Sequence, residues 1–519
     1  MRYTIDIKLF NHMTGSISIN KRDAVLFVAL LFLCLLSKGM VLLPGYSFDD
    51  YWFSQNINSS HQELFFGQGR FIAWLIIYAL DLIGVSPPDI SLLMGFLALI
   101  LQSALAVSAI RFIGYSSLVS AGIAGAAIVL HPFSAELLTF RVALPIYCAS
   151  SFFLLLSIEA MNASRGTRSL GPVLMAFVFA SIAIMTYQTA FNYLLVVSVI
   201  GVFASFCSEG KCISRALKLR VKSYAFLISS LGAGVMSYVA STLARNFKIV
   251  ASMPNRLSFL SSSQSLGRLR DAFGTLQATY ITGTPIVPKL LTLASIVVLI
   301  TCLFIILRRF ASVLRLQNAT LLGISLILSI PLLTIGVILV LKVWWPAPRV
   351  LAHYSYIYGL IVLISLDHCG LRASANLYKT ILAISIVVLF GYAAMNNQIF
   401  ADQSKLNSWD RQFANRLMMR IESHADAGRI RFVRIIGGRP AAQYHPQFLR
   451  TTYMDLNVSA FYPSVSKDWV LDVTVGSLVR GRPDQISAND GDVCVESLKW
   501  PRPESIRVIE DTAFVCLAK

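Results

Sequence analysis

Two adjacent carboxylates with aromatic neighbours follow the first apolar segment of the chain, in the stretch Tyr46-Ser47-Phe48-Asp49-Asp50-Tyr51-Trp52. Burial and mutual repulsion can raise the pKa of one carboxyl toward the range of a general base. Adjacent side chains point in different directions, so one carboxylate can face a substrate while the other orients it. We therefore predict that Asp49 is the base and that Asp50 orients it. The competing interpretation is that the pair caps a helix.

Four cationic residues in or near polar turns are candidates for binding a phosphate group. Arg70 opens a short apolar segment, where its planar donor fork can bind a lipid phosphate or merely reach the membrane surface. Lys342 and Arg349 flank a Trp-Pro-rich turn. Lys38 lies inside the first apolar segment, so we expect it to face a cavity or to pair with an acid. We predict that Arg349 is the main phosphate ligand, with the other three as further candidates.

Several polar and aromatic residues are candidates for direct contact with a substrate. Trp faces stack on sugar rings, although Trp is also common at membrane interfaces. A mutual ion pair between Glu136 and Arg141 is the competing interpretation for those two residues. The candidates are Glu136, Arg141, Gln188, Trp344, Trp345 and His353. The sequence has no metal-spaced His and Cys set, no phosphate-binding Gly-rich loop and no nucleotide-sugar motif. We therefore expect neither a metal nor a cofactor.

The composition indicates that a bilayer surrounds most of these residues. The 519 residues are 56% hydrophobic and 13% charged, with a mean hydropathy of +0.67, whereas soluble proteins carry about 25% charged residues. The net charge is +18. Residues 396–519 hold 16 basic and 14 acidic residues, against 28 and 12 in the first 395. The basic excess therefore belongs to the membrane part, which argues against a nucleic-acid partner.

Apolar runs of about 20 residues, the length that crosses a bilayer as a helix, recur along the chain. The first, 24–43, is too long for the apolar core of a cleaved signal peptide, so we expect it to remain as an anchor. The segment 71–85 is too short to span and is predicted to lie at the interface. The eleven predicted spans are 24–43, 90–110, 115–131, 142–160, 169–187, 189–207, 223–243, 285–307, 319–341, 350–366 and 377–395.

The distribution of Lys and Arg among the loops predicts the direction of these spans, because cytoplasmic loops carry the basic excess. If 71–85 does not cross, Lys21-Arg22, Arg111, the 211–222 loop and Arg308-Arg309 all fall on one side. That side is predicted to be cytoplasmic. The loops that carry Asp49, Glu136, Gln188 and Arg349 then face the opposite side, together with the C-terminal tail.

The composition changes near residue 396, so we predict a membrane domain of residues 1–395 and a small soluble α/β domain of residues 396–519. The tail begins with helical spacing at Leu406, Trp409, Phe413, Leu417 and Ile421. Strand-like runs follow at 431–436, 469–475, 493–495 and 506–517. Cys494 and Cys516 are the only two cysteines of this domain. An oxidising compartment would favour a disulfide between them, with the two runs paired antiparallel.

Taken together, these motifs resemble those of the serotype-converting O-antigen glucosyltransferases, a phage-carried family of enteric bacteria. The resemblance is carried by the acidic pair in the first outer loop, Gly69-Arg70, His131-Pro132-Phe133 with Glu136, Tyr187-Gln188, and Pro348-Arg349 followed by a soluble tail. It covers most of residues 20–400. This family is similar to the multispan GT-C glycosyltransferases, which use polyprenyl-phosphate sugars and an acidic residue in the first outer loop.

The resemblance implies that glucose arrives on undecaprenyl phosphate and is transferred to lipopolysaccharide O-antigen, with inversion, on the periplasmic face of a bacterial inner membrane. The implied partners are this donor, the O-antigen acceptor, the bilayer, and membrane proteins that synthesise and flip the donor. A lipid-linked saccharide flippase or transporter and an O-antigen polymerase remain alternatives. The acidic pair in the first outer loop favours the transferase over both: a flippase or transporter needs no base there, and a polymerase joins preassembled repeat units and not single sugars.

Overall fold

The computed structural model describes residues 3–4, 18–55, 65, 69–163, 170–208, 213–246, 260, 264–369, 375–436, 449–461, 471, 480–481, 493–494 and 500–517. This part of the chain is mostly α-helical, as predicted. Its α-helices are α1 (Lys21–Lys38), α2 (Phe48–Gln55), α3 (Phe71–Leu82), α4 (Ser91–Ile113), α5 (Leu118–Leu130), α6 (Ala135–Thr139), α7 (Leu144–Ala163), α8 (Gly171–Thr186), α9 (Ala190–Ser208), α10 (Ile213–Asn246), α11 (Ser265–Gln277), α12 (Lys289–Val313), α13 (Leu316–Ile335), α14 (Tyr354–Leu363) and α15 (Ala375–Glu422).

Each of the eleven predicted spans coincides with a helix, but not every helix is long enough to cross a membrane. Eight helices in the described residues are long and apolar enough to cross a membrane. The number is nine if the bent pair of Leu118–Leu130 and Pro132–Thr139 counts as one span. The two segments of that pair meet at 46°. Pro132 explains the break, because proline lacks the N–H that would continue the helix. The chain is thus a polytopic helical membrane protein with fewer full-length spans than predicted.

Two predicted spans, 169–187 and 350–366, form shorter helices. Helix α8 has 16 residues, about 24 Å at 1.5 Å per residue, against a hydrocarbon core of about 30 Å. Helix α14 has ten residues and continues as a π-helical turn to His368. The prolines at 346 and 348 keep Trp345 and Ala347 out of the helical conformation, because residues before a proline avoid it, and the helix starts only at Tyr354.

Helix α3 forms in the segment that was predicted to lie at the membrane interface. Its 12 residues are too few to cross a bilayer. Ala73 and Ile77 are buried and pack in a small apolar cluster with Val142 and Ile146 at the start of α7. This packing fixes the entry to α3, where Arg70 lies.

Helix α15 is continuous across the predicted domain boundary at residue 396. Its apolar first half packs with α12 and α1, and its second half continues to Glu422. The predicted amphipathic pattern is confirmed there, since Leu406, Phe413, Leu417 and Ile421 are all buried. The rest of the tail is therefore connected to the membrane part by a helix.

The tail contains a small sheet, in agreement with the predicted α/β character. Strands β1 (Tyr3–Thr4) and β2 (Ser18–Ile19) pair near the N-terminus, while β3 (Phe432–Ile436), β4 (Arg480–Gly481), β5 (Ile506–Ile509) and β6 (Thr512–Cys516) form the sheet of the tail. The order is β4-β3-β6-β5, with β3 parallel to β4 and β6, and β5 antiparallel to β6. The predicted strand at 431–436 is confirmed, and 506–517 is a hairpin.

The predicted disulfide is present, but one of its two strands is not. Cys494 and Cys516 are joined, with their Cα atoms 5.5 Å apart. Cys516 ends β6, whereas Val493 and Cys494 lie in a helical turn, so the prediction that two strands pair across the bridge was wrong. Apart from Leu471, the predicted strand at 469–475 lies outside the described residues.

Candidate functional site

A cavity of about 630 Å³ opens between the start of α2, Arg70, helices α8 to α10, the segment that follows α13, and the tail. Its charged lining residues are Asp49, Asp455, Arg70 and Arg349, and Gln188 and Trp345 also line it. Most of the other lining residues are apolar and form what we call the apolar wall. They include Ile184, Phe191, Leu231, Val235, Val337, Ile338 and Leu341. The lining therefore combines charged side chains with apolar side chains suited to hydrocarbon.

Asp49 reaches this cavity from the first turn of α2. The helix starts in a capping box, in which Ser47 Oγ accepts a hydrogen bond from Asp50 N (3.4 Å) and the Asp50 carboxylate accepts one from Ser47 N (2.7 Å). With the start of α2 fixed in this way, the Asp49 side chain lies half-buried in the cavity wall.

Asp50 is fully buried and contacts backbone instead of the cavity. Its Oδ2 accepts hydrogen bonds from the N–H groups of Ser47 (2.7 Å) and Arg141 (3.1 Å), and its Oδ1 accepts one from Val142 N (2.7 Å). Burial raises the pKa of the Asp50 carboxyl, while these hydrogen bonds lower it. Asp50 therefore caps the start of α2. The carboxylate also ties α2 to the turn before α7.

Arg349 is held between two carboxylates. Its backbone N and Nη1 donate to Glu136 (2.5 and 2.6 Å), and its Nη2 donates to Asp455 (2.5 Å). The guanidinium also lies over the Phe140 ring, 4.5 Å from its centroid. Burial lowers the pKa of this guanidinium, but the two carboxylates outweigh burial and raise the pKa above its ordinary value. Arg349 is thus a fixed, permanently charged donor on the cavity wall.

Arg70 and Gln188 form a second polar pair on the same wall. Arg70 Nε donates to Gln188 Oε1 (2.9 Å), and its guanidinium lies 5.2 Å from the centroid of the Tyr187 ring. Gln188 comes from the tight turn between α8 and α9. Two cations and two carboxylates from distant parts of the chain therefore share one cavity.

The apolar wall owes its position to a glycine at the end of α13. Gly336 has φ +65°, which side chains disfavour, and a Cβ there would lie 2.5 Å from Asn192 Oδ1. The same oxygen accepts a hydrogen bond from Val337 N (2.9 Å). This close contact holds the cavity-lining segment that begins at Val337 against α9.

A comparison with protein families gives a match to the family described as glucosyl transferase GtrII, over residues 40–366. The match spans more than half of the chain. The chain belongs to this family. Searches of curated proteins and of solved structures give no match. The resemblance to the serotype-converting glucosyltransferases is therefore confirmed, and the family favours a glucosyltransferase over a flippase or a polymerase.

Within this glucosyltransferase, Arg141 and Lys38 are not among the residues that line the cavity. The Arg141 guanidinium donates to the carbonyl oxygens of Val41 and Leu43. Glu136 pairs with Arg349, so the competing interpretation of a Glu136–Arg141 ion pair was wrong. Lys38 Nζ donates to Val129 O (2.5 Å) and Ser134 Oγ. Hydrogen bonds to these neutral oxygens offset the cost of burying the Lys38 ammonium. The sequence analysis had predicted instead that Lys38 faces a cavity or pairs with an acid. Both cations stabilise the C-terminal end of α1 and the turn that follows it.

Among the predicted residues of the Trp-Pro turn, the structure brings only Trp345 and Arg349 to the cavity. Lys342 is exposed and is not among the lining residues. Trp344 lies under Arg268, whose guanidinium is 4.7 Å from its ring centroid. His353 is fully buried, with Nε2 2.7 Å from Leu333 O and Nδ1 3.1 Å from Val350 O. Its ring therefore orients backbone at the start of α14.

Asp455 is the cavity residue that the sequence analysis missed. It lies in the tail, outside the range that matches the family, and in a stretch predicted to be part of a separate soluble domain. Nothing in the local sequence distinguishes it from the other acids of the tail. Among the described residues, no three His, Cys, Asp or Glu side chains are grouped so that they could hold a metal ion.

Proposed function

We propose that this glucosyltransferase takes glucose from undecaprenyl-phosphate glucose and transfers it to lipopolysaccharide O-antigen in the cavity described above. The observation that carries the proposal is that Asp49, Arg70 and Arg349 line the same cavity. A carboxylate that accepts a proton and cations that stabilise a leaving phosphate are the two requirements of this reaction.

The two regions of the cavity support an amphiphilic donor. Arg349 and Arg70 offer N–H donors to the phosphate, and Trp345 offers an aromatic face to the glucosyl ring. The isoprenoid chain fits the apolar wall, where Leu231 and Val235 on α10 are 46% and 64% exposed. These exposed side chains give the cavity an apolar opening toward the bilayer, from which a lipid can enter.

In the proposed reaction, Asp49 accepts the proton of an acceptor hydroxyl. The hydroxyl oxygen attacks the anomeric carbon and forms the new glycosidic bond. The bond between that carbon and the phosphate oxygen breaks, and the phosphate leaves with the electron pair. Arg349 and Arg70 stabilise the charge that develops on the leaving phosphate. Attack from the side opposite to the leaving group inverts the anomeric centre. Asp50 contributes by fixing the start of α2.

The distribution of basic loops supports a location in a bacterial inner membrane, with the cavity and the tail on the periplasmic side. Donor synthesis and donor flipping across the membrane then belong to other membrane proteins. Serotype conversion follows from the addition of one glucosyl branch to each O-antigen repeat.

Transfer by the purified protein in nanodiscs tests the proposal, with radiolabelled undecaprenyl-phosphate glucose and O-antigen as substrates. The wild type should label the O-antigen. Asp49→Asn should lose about 10²–10⁴-fold in rate, because it keeps the shape and removes the base. The matched control is Asp271→Asn, an exposed acid of α11 outside the cavity, and it should retain full activity. Undiminished transfer by Asp49→Asn would show that another group is the base.

A further inference from the structure

The two carboxylates that hold Arg349 differ in how open they are to the cavity. The Glu136 side chain is 0% exposed and accepts two hydrogen bonds from Arg349, including one from its backbone N. The Asp455 side chain is 16% exposed, lines the cavity and accepts a single bond from Nη2. The contact with Glu136 is therefore part of the fixed structure, whereas the contact with Asp455 faces the space in which a ligand binds.

The positive charge of Arg349 is already compensated by two carboxylates, those of Glu136 and Asp455. A phosphate placed on Arg349 would be the third anion on one cation, and like charges at contact distance in a partly buried site repel strongly. One anion must then leave, and the buried Glu136 has no route to water.

We propose that Asp455 is a positioning residue that occupies the phosphate place on Arg349 in the empty enzyme and is displaced when the donor phosphate binds. The inference rests on the proposed function, because it takes Arg349 as the phosphate ligand. In the bound state a phosphate oxygen replaces the Asp455 carboxylate on Nη2, while Glu136 continues to hold the backbone N and Nη1. Binding of the donor phosphate to Arg349 would therefore change the contacts of Asp455 in the tail.

The local structure of the tail allows this exchange. Asp455 lies at the tip of a two-residue turn closed by hydrogen bonds between Tyr453 and Leu456. The residue before it, Met454, has φ 52°, a conformation that is uncommon for residues other than glycine. Both flanks are anchored independently of the turn. Before it, the Asp402 carboxylate accepts hydrogen bonds from the backbone N–H groups of Arg450 and Thr451, and after it, Asn457 Nδ2 donates to Ile399 O. The tip can therefore move while its flanks stay in place.

Binding of farnesyl phosphate, a short polyprenyl phosphate, to the full-length protein in nanodiscs tests this inference. Asp455→Asn should bind about tenfold more tightly than the wild type, because the ligand no longer competes with a charged hydrogen-bond acceptor. The donor KM should fall by a similar factor without a rise in kcat. Asp455→Glu, which keeps the charge, should bind no more tightly than the wild type, and the control Asp271→Asn should not change affinity.

Arg349→Ala separates this inference from the proposed phosphate site. If Arg349→Ala binds as tightly as the wild type, the phosphate lies elsewhere and both ideas fail. If Arg349→Ala binds weakly and Asp455→Asn binds no more tightly than the wild type, the phosphate site stands and the displacement of Asp455 is refuted. Hydrogen exchange in the wild type gives a test without any substitution. Farnesyl phosphate should speed exchange at the amide of Leu456, and unchanged or slower exchange there contradicts the inference.

Discussion

Replacing Asp50 by Asn should destabilise the protein and leave the chemistry of Asp49 intact. The two oxygens of Asp50 accept three backbone hydrogen bonds, two on Oδ2 and one on Oδ1. An Asn side chain that keeps its oxygen in the position of Oδ2 turns its amide group toward Val142 N. That N–H then loses its acceptor in a fully buried site, which costs about 1–3 kcal/mol of unfolding free energy.

Thermal unfolding in detergent, together with transfer by the fraction that remains folded, measures this effect. Asp50→Asn should unfold at a lower temperature and retain most of its transfer rate per folded molecule. Asp49→Asn provides the matched comparison, because each folded molecule should lose about 10²–10⁴-fold in rate. Wild-type stability with lost transfer in Asp50→Asn would refute the reasoning, because it would show that Asp50 takes part in the chemistry directly.

Three further predictions concern the phosphate ligand, the topology and the tail. Arg349→Lys should retain more transfer activity than Arg349→Ala, because the ammonium keeps the charge. It should be less active than the wild type, because an ammonium cannot engage both carboxylates and a phosphate. Equal activity of the alanine variant and the wild type would contradict this prediction. Alkaline phosphatase fused after Asn396 should be active and after Arg309 inactive, since the basic loops predict opposite sides; the reverse pattern would invert the assignment. The Cys494–Cys516 disulfide joins residues that are 22 positions apart, and its reduction should lower the unfolding free energy of the tail by about 3 kcal/mol. Urea unfolding with and without reductant measures this difference. Identical unfolding midpoints would argue against the stabilisation.

Much of the helical architecture could be predicted from the sequence, because the length of an apolar run and the need to satisfy backbone hydrogen bonds in a bilayer are local properties. The eleven apolar runs all form helices for this reason. The family could likewise be recognised from short motifs within residues 40–366. The lengths of α8 and α14 were less predictable, because they depend on where the chain turns inside the protein.

The pairing of charges was decided by the tertiary structure. Glu136 has Arg141 five residues away, yet its partner is Arg349, 213 positions later, and Asp455 joins them from the tail. Sequence proximity favoured the wrong pair, because side-chain contacts between helices depend on how the helices pack. The same holds for Asp49 and Asp50, which are chemically identical and adjacent. The sequence determined that a carboxylate pair follows the first apolar segment, and the packing of α2 against the turn before α7 decided that Asp50 is buried and that Asp49 faces the cavity.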